Sequence, residues 1–533
     1  MTVPELELPD RQLPDRQVSD RRWPVFSALG AALAVAAAAG AVIGPSAARV
    51  EPAAAPAGEA LVAGAAGSTW SCAGATGPRG QAPGALTLSN LGARPARAEV
   101  ELVSDQGWSR HVPVTVSPGA ELVVQENAPG TTSWAGAVVT VYGSGVAVTQ
   151  RINTRWGTSL QPCAPSASTT WYFASGSVLS GTSEEITLVN PYASVADVKL
   201  SFVTDEGVEA PAAFSSISVP PRGMASVNLA SHLRRRQFVA ATVEALSGEV
   251  VAFRTEVVRP GPPGAGVAGA TLQLGSPSPS RLAWFAQGGQ GPGQTETFWA
   301  YNPGTRPARV HMSFSGDVGG GAAGQAGYTS VEVAAHGVAR IVTNGQSWVL
   351  PGSRYSVTVR SDVPVVVERD LLAEPESGVR GRASLAGSGV AAPLWVLPAL
   401  AGWALPAPAR VERARVAQPS LIAGSPFGRL FQSARQVLQP PDSLLGQHQG
   451  APGATVFVDV FNPGLRSADL TLAGARGALG PGQAERIPLS AAYWGRPVLV
   501  RSTAPVVVSV FAYSASQLPG ADLSPAVPVV QPR

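Results

Sequence analysis

The residues that could do chemistry are few and widely spaced. No two of the five histidines have the spacing of a helical zinc site, and nucleophile-elbow, phosphate-loop and calcium-loop patterns are absent from the sequence. Asp105 in SDQG and Asp205 in TDEG occupy similar positions after strands, which favours turns over a carboxylate pair. We therefore expect no enzyme, with a hydrolase built on a dispersed site as a remaining alternative. The histidines are His111, His232, His311, His336 and His448.

One glycine-rich run formally matches a dinucleotide-binding pattern. Residues 319–324 read GGGAAG, which fits GxGxxG. The run follows a predicted strand, but neither a helix nor a βαβ unit is predicted after it, and that context is what the pattern requires. We interpret it as a flexible loop and expect neither a cofactor nor a metal ion.

The two cysteines, Cys72 and Cys163, have 90 residues between them. In an exported domain an even pair is most simply a disulfide. Loop-closure entropy gives such a bridge up to about 4–5 kcal/mol of stabilisation. Two buried free thiols are the alternative, and a metal site is disfavoured because no histidine or further cysteine is spaced to complete it.

The composition indicates many short strands and several domains. The chain has 533 residues, too many for a single core, and contains 59 Gly and 48 Pro. Only 14% of the residues are charged, and the net charge of +3 is spread thinly, with Arg234, Arg235 and Arg236 as the one basic triplet. A nucleic-acid interface needs a concentrated basic face, so we expect no nucleic-acid partner.

The N-terminal region indicates export and attachment to a membrane. The stretch from Val25 to Ile43 has 19 uncharged residues, just enough to cross a bilayer core. Arg21 and Arg22 precede it, which predicts a cytoplasmic N-terminus. We favour an uncleaved signal anchor over a cleaved signal peptide. The remainder is expected outside the cytoplasm, single-pass if anchored and secreted if cleaved.

A strand-turn-strand pattern recurs at Asn90, Asn190, Asn302 and Asn462. Apolar residues alternate with period two on both sides of each asparagine, as in strands with one buried face. Two copies carry Asn-Pro-Gly, in which Pro fixes φ and Gly accepts a positive φ, as a tight turn requires. In chain order, the sequences around the four asparagines are TLSNLG, TLVNPY, FWAYNPG and VFVDVFNPG.

A second landmark is a tryptophan at the start of each repeat. Trp70, Trp171, Trp284 and Trp395 are separated by 101, 113 and 111 residues. Each repeat ends in two apolar segments that predict a closing pair of strands. About 100 residues with frequent turn signals predict tandem immunoglobulin-like β-sandwich modules, about four, after one transmembrane helix. The chain is thus mainly β.

These landmarks give the expected domain boundaries. They are a disordered cytoplasmic leader (1–22), a transmembrane signal anchor (23–44), an Ala/Pro-rich linker (45–68), module 1 (69–166), module 2 (167–262), a Gly/Pro/Ser linker (263–280), module 3 (281–372), module 4 (385–514) and a Pro-rich tail (515–533). Module 4 carries an insertion at about 403–452. Within it Phe427, Leu430, Phe431, Ala434 and Leu438 have helical spacing, which predicts a helix that packs on its own module or docks on a partner or membrane.

The expected function is a non-catalytic interaction or spacer scaffold of the bacterial cell envelope. Its partners would be the cytoplasmic membrane, through one helix, and a cell-wall polymer or another envelope protein. An alternative is an array of modules that bind wall carbohydrate. For this we singled out possible outward-facing aromatics that stack on sugars, with core packing as the competing interpretation: Trp299, Tyr301, Phe457 and Phe461.

The basic-ended leader, the Ala-rich anchor and the Trp-to-NPG modules carry a resemblance to a known group. Over most of its length the chain resembles a family of membrane-anchored secreted proteins of unknown function from high-G+C Gram-positive (actinobacterial) bacteria. The resemblance implies an envelope location. It implies no active site.

Overall fold

The computed structural model describes most of the chain after residue 60. The described residues are 61–62, 67–128, 133–259, 261, 267–291, 293–316, 327–344, 346, 349, 352–374, 380–400, 454–514 and 521–530. All of them belong to one compact unit, and they contain strands and three single 3-10 turns but no α-helix. The expected leader, anchor and insertion helix lie outside the described residues. No helix in the described ranges has the length and apolar character needed to span a bilayer.

Module 1 consists of two four-stranded sheets, ordered β2-β7-β4-β5 and β6-β3-β8-β9. Its strands are β2 (Gly67–Thr76), β3 (Gly84–Asn90), β4 (Ala96–Ser104), β5 (Ser109–Val116), β6 (Glu121–Gln125), β7 (Trp134–Tyr142), β8 (Val146–Thr154) and β9 (Gly157–Pro162). They follow β1 (Leu61–Val62), which pairs elsewhere.

Module 2 has the same two-sheet plan, ordered β10-β16-β12-β13, with β14 also on β12, and β15-β11-β17-β18. Its strands are β10 (Thr170–Phe173), β11 (Thr182–Asn190), β12 (Ala196–Thr204), β13 (Gly207–Glu209), β14 (Ile217–Val219), β15 (Gly223–Asn228), β16 (Val239–Ser247), β17 (Val251–Val258) and β18 (Gly269–Leu274). The 3-10 turns Ala212–Phe214 and Leu229–Ser231 also belong to it.

Modules 3 and 4 each use one long strand for both layers. The strands of module 3 are β19 (Ser280–Gly289), β20 (Gln294–Asn302), β21 (Ala308–Gly316), β22 (Gly327–Val333), β23 (Gly337–Val342), β24 (Arg354–Ala373) and β25 (Gly381–Ala386). Those of module 4 are β26 (Ala392–Val396), β27 (Ala454–Phe461), β28 (Ala468–Leu472), β29 (Ala475–Leu479), β30 (Ala484–Leu489), β31 (Leu499–Ser514), β32 (Ala521–Pro525) and β33 (Val527–Val530), with the 3-10 turn Ala491–Tyr493.

The closing pair of segments predicted for every repeat is present in all four modules, as two separate strands in modules 1 and 2 and as one unbroken strand in modules 3 and 4. In modules 1 and 2 the two segments are joined by turns containing Gly145 and Gly248, whose φ values of 82° and 73° suit glycine. Modules 3 and 4 have Pro364 and Pro505 in the corresponding region, where the strand passes from one layer to the other. As a result β24 and β31 each pair with strands of both layers.

The predicted alternation of buried and exposed side chains after each asparagine is confirmed. From their first residues, β4, β21 and β28 place alternate side chains inside, at Ala96, Ala308 and Ala468 and every second residue beyond. All four asparagines are at most 1% exposed. The mainly β prediction and its β-sandwich plan therefore agree with the structure.

Five described strands lie wholly or mostly outside the predicted modules. These are β1 in the linker 45–68, β18 in the linker 263–280, β25 after the predicted end of module 3, and β32 with β33 in the tail 515–533. Their Gly- and Pro-rich surroundings suggested irregular chain. The prolines are tolerated because Pro525 and Pro528 lie in short strands at the margin of the ladder, where a missing N–H costs little.

The modules pack against one another instead of standing apart. One apolar cluster joins module 1 residues such as Trp134 to module 2 residues such as Phe253, and another joins Phe298 of module 3 to Leu523 of module 4. A third joins Trp70 of module 1 to Val527 of module 4. The cores of neighbouring modules are therefore continuous.

Candidate functional site at the junction of the four modules

The last strands of the four modules meet one another, and we call β9, β18, β25 and β32 the junction strands. Each contacts the next in chain order, and β32 contacts β9, so the four strands form a closed ring of contacts. Small residues permit this approach. A Cβ atom on Gly269 of β18 would lie 2.8 Å from the backbone nitrogen of Arg382 in β25, which is too close for any other residue.

A buried ionic network links modules 2 and 3. The carboxylate of Glu368 accepts hydrogen bonds from the amide and hydroxyl of Ser175 at 2.9 and 2.8 Å, and from Nη2 of Arg254 at 3.2 Å. Arg254 is 1% exposed and Glu368 is not exposed at all. Ionic groups removed from water in this way need partners, and here each module supplies the partner of the other.

The network extends onto the junction strands. Gln273 of β18 accepts from Arg254 at 2.6 Å and from the hydroxyl of Ser384 of β25 at 2.9 Å. Arg382 of β25 pairs with Glu256 of module 2 at 3.0 Å. Because these bonds alternate between the two modules, sliding one sheet past the other would break several of them together.

Glu184 adds a further carboxyl group beside Arg254. Burial raises the pKa of Glu184 well above its usual value, the charge of Arg254 lowers it, and Glu256 and Glu368 raise it again. One proton held on Glu184 reduces the negative charge that Arg254 must balance. The group is therefore suited to packing, not to binding a substrate from solvent.

The contact between modules 4 and 1 is centred on Asp522 of β32. Its carboxyl group accepts from the hydroxyl of Ser159 at 2.8 Å and from the amide of Leu160 at 3.3 Å, both in β9. Ser524 donates to the carbonyl of Leu160 at 2.9 Å. Burial raises the pKa of Asp522 to about 7, while the bonds from Ser524, Ser159 and Leu160 lower it.

Modules 1 and 2 are also linked through polar side chains. Arg222 donates through Nε to Glu101 at 2.7 Å, and Ser226 donates to Asp105 at 2.8 Å. Asp105 also accepts from the amide of Trp134 at 3.0 Å. Asp105 thus lies in a turn, as predicted, and in addition bridges two modules. The sequence carried no signal for the bridge because its partner is 121 positions away.

Two modules contain a buried acid of their own. Glu126 of module 1 accepts from Gln150 at 2.9 Å, and burial raises the pKa of Glu126 to about 8. Asp459 of module 4 accepts two hydrogen bonds from Arg486, at 2.7 and 2.8 Å. A bidentate pair of this kind fixes the orientation of both side chains.

A cavity of about 80 Å³ lies at the end of the junction strands. Residues that directly follow each strand line it, which places equivalent positions of all four modules around one space: Cys163, Gly275, Gly387 and Ala526. Gln161 also lines it and is 6% exposed. The volume suits a few water molecules.

The predicted disulfide is confirmed, and it borders this cavity. Cys72 of β2 is bonded to Cys163, the residue after β9, and both are at most 1% exposed. The bridge thus fixes a junction strand to the first strand of its own module.

Two of the four proposed ligand-contact aromatics are buried between modules. Tyr301 is 4% exposed and its hydroxyl lies 2.7 Å from that of Thr242 in module 2. Phe461 is 2% exposed and packs with Trp284 of module 3. Neither ring presents a face to solvent, because a neighbouring module covers it. The sequence pattern gave no sign of this packing.

The other two are half-buried. Trp299 donates to Asp370 at 2.8 Å and lies 5.6 Å from the ring of Phe238. Phe457 stacks against Tyr513 at a centroid distance of 6.1 Å. Sugar binding by these two rings stays a prediction.

The histidines do not gather into a site. His111 lies 3.1 Å from Glu99 on an exposed strand surface, and His232 packs edge-on against Phe214. His311 stacks on Tyr328 in module 3, and His448 lies outside the described residues. In the ranges that the structure describes, no group of three or more His, Cys, Asp or Glu residues could hold a metal ion.

Comparison with known proteins identifies no activity. Residues 145–371, from β8 of module 1 to β24 of module 3, match a family model described as "Family of unknown function (DUF5719)". This agrees with the part of the sequence resemblance that concerned unknown function. No curated protein matches the chain.

Two solved structures show weak similarity. The "Crystal Structure of Thermotoga maritima 1070" is 17% identical, and the match covers 21% of this chain and 94% of that chain with a TM-score of 0.19. The native conformation of E. coli alpha-2-macroglobulin is 10% identical, covering 85% of this chain and 29% of that chain with a TM-score of 0.13.

Proposed function

We propose that this chain is a non-catalytic, membrane-anchored scaffold of the bacterial cell envelope, with its β modules outside the cytoplasm. The observation that carries the proposal is the junction. Its buried polar groups are bonded across modules, so the four sandwiches form one compact unit instead of four separate tethers. A compact unit of this size presents loops at fixed separations, which suits a spacer or an interaction platform.

The disulfide supports the proposed compartment. Structural disulfides persist in oxidising compartments and are rare in the cytosol. Cys72 and Cys163 are the two cysteines of the chain, and both are used in the bridge.

The treatment of ionisable groups supports a structural role. Glu368 and Asp522 are at most 2% exposed and accept hydrogen bonds from neighbouring modules, and Glu184 is 1% exposed beside Arg254 of its own module. Acids held in this way are inaccessible to a substrate, so they stabilise packing and do not supply a general acid or base.

Cross-linking in intact cells followed by membrane fractionation tests the proposal. We expect the full chain in the membrane fraction, with its modules accessible to a membrane-impermeant cross-linker and reproducibly coupled to envelope proteins or wall polymer. The control is a Leu33→Arg/Val35→Arg variant, in which two charges interrupt the proposed anchor. Wild-type protein found free in the cytosol would eliminate the proposal.

A further inference from the structure

One edge of a sheet lies at the surface in the same place in all four modules. The strands that form it are β5 in module 1, β13 and β14 in module 2, β22 in module 3 and β29 in module 4, and we call it the outer edge. These strands are equivalent, because the last residue of β5, β14, β22 and β29 pairs in each case with the sixth residue after the asparagine of that module. An unpaired edge presents backbone N–H and C=O groups to any extended chain, so proteins usually block it.

Three modules block their outer edge. In module 1, β5 contains Pro113, which lacks an N–H and whose ring keeps another strand away. In module 4, β29 is only five residues long and carries Arg476, which is charged and exposed. In module 2 the edge is interrupted, because the 3-10 turn Ala212–Phe214 separates the three-residue strands β13 and β14. Prolines, charged side chains and very short strands all prevent pairing with a further strand.

Module 3 leaves the same edge unblocked. β22 has seven residues, GYTSVEV, with no proline and no basic side chain. Ser330 occupies the position that Pro113 and Arg476 hold in modules 1 and 4, since each of the three pairs with the ninth residue after its asparagine. In the part of the chain that the structure describes, β22 pairs with β21 alone. The far side of β22 can therefore accept one more strand.

The two faces of β22 differ in character. Tyr328, Ser330 and Glu332 are exposed on one face. The Tyr328 ring is 56% exposed and stacks on His311 of β21. On the other face Val331 packs partly against the apolar cluster of module 3. A strand added at this edge would extend both faces and remove further surface of Tyr328 and Val331 from water.

The sequence of β22 is complementary to itself in the antiparallel direction. When two copies are aligned on Ser330, Tyr328 of each copy lies opposite Glu332 of the other. Thr329 likewise lies opposite Val331, and Ser330 lies opposite its own counterpart. Pairs of β-branched residues stabilise sheets, and in this register no like charges lie opposite one another. The edge therefore fits a second copy of the chain, because a two-fold contact uses the same residues on both sides.

We propose that this chain forms a two-fold dimer in which β22 pairs antiparallel with β22 of a second copy, centred on Ser330. The sheet of module 3 that contains β19, β21, β22 and part of β24 then continues into its counterpart. The contact is independent of the proposed membrane anchor, because every residue in it belongs to module 3. Modules 1, 2 and 4 do not join in this way, since their outer edges are blocked.

Charge variants at the centre of the contact test the dimer. Ser330→Lys and Ser330→Glu each place two like charges directly opposite one another, so each variant alone should dimerise at least about tenfold more weakly than wild type. An equimolar mixture of the two variants should restore dimers, because opposite charges then face each other. Recovery on mixing also shows that both variants are folded. Thr115→Lys, at an exposed position of the blocked edge of module 1, is the matched control and should dimerise as wild type does.

The full chain in detergent is suitable for these measurements. Light scattering during size-exclusion chromatography gives the mass of each variant and of the mixture. Native mass spectrometry, with one variant labelled with heavy nitrogen, identifies the mixed pairs.

A thiol at the same position tests the register. Both native cysteines are in the disulfide, so Ser330→Cys gives each copy a single free thiol. Directly opposite residues of an antiparallel pair have Cα atoms about 4.5–5.5 Å apart, which is within reach of a disulfide. Mild oxidation should therefore join two copies through the introduced thiols. Thr115→Cys, on the blocked edge, should remain a single chain on non-reducing denaturing gels.

Three results would overturn the inference. The first is a wild-type chain that stays monomeric in detergent. The second is a Ser330→Lys dimer as strong as that of wild type, which would place the dimer contact elsewhere. The third is oxidation of Ser330→Cys in intact cells that joins it to another protein and not to its own copy, which would show that the edge binds a different extended chain.

Discussion

At the scale of single residues, the junction depends on carboxyl groups that burial keeps protonated. Asp522 has a pKa of about 7 in the folded protein, against about 4 for an exposed aspartate. Below pH 4 both the folded and the unfolded chain carry the proton. Between pH 4 and 7 the unfolded chain releases it first, so the free energy of unfolding falls as the pH rises, and above pH 7 the loss is complete.

Asp522→Asn should remove this pH dependence. Asparagine resembles the protonated acid in shape and stays neutral, so between pH 5 and pH 8 the variant should gain about 3 kcal/mol of stability at most relative to wild type, because about two of the three pKa units fall in that interval. Urea unfolding at both pH values measures the difference. Asp469→Asn, at an exposed position, is the control. Parallel pH profiles for wild type and Asp522→Asn would contradict the assignment.

At the scale of elements, the asparagine turns are held by one side chain each. Asn462 donates to the carbonyls of Arg466, Leu479 and Gly480 at 2.8–3.1 Å, and its oxygen accepts from the amide of Gly464 at 3.0 Å. One buried amide thus ties a β-turn to the adjacent hairpin. This explains why asparagine recurs while the residues after it vary.

Asn462→Ala should destabilise the protein by about 2–3 kcal/mol, because the partner groups are left without their hydrogen bonds. Asn462→Asp should be at least as destabilising, since a buried carboxylate accepts from Gly464 but places a negative charge against three carbonyl oxygens to which it cannot donate. Denaturant unfolding measures both, with Arg466→Ala as a control at an exposed position of the same turn. An alanine variant as stable as wild type would refute this role.

The elements that the sequence predicted are those with strong local signals. The strands around Asn302 and Asn462 show clear alternation, and their turns have defined chemistry. Three of the junction strands, β18, β25 and β32, were missed because each is five or six residues long and follows Gly- or Pro-rich chain. The candidate site was missed with them. Arg254 and Glu368 are 114 positions apart, and nothing local indicates that they pair.

At the scale of the whole molecule, shared cores predict cooperative unfolding. Phe253→Ala in module 2 should cost about 3–5 kcal/mol, because it removes a fully buried ring from a cluster that extends into module 1. Since neighbouring cores and the junction connect all four modules, protection against hydrogen exchange should fall in module 4 as well as in module 2.

Exchange measured by mass spectrometry on the full chain in detergent separates the two cases. Peptides from β17 and β31 should lose protection together, while Val123→Ala, at an exposed position, should change neither. Loss confined to module 2 would show that the modules unfold independently.

The parallel pairing of β1 with β33 brings together residues 468 positions apart, Leu61 and Val529. A ribosome makes the first of these strands long before the second, so module 1 must wait for β33 before its surface toward module 4 is covered. A change that removes β33 would consequently damage the first module that was made.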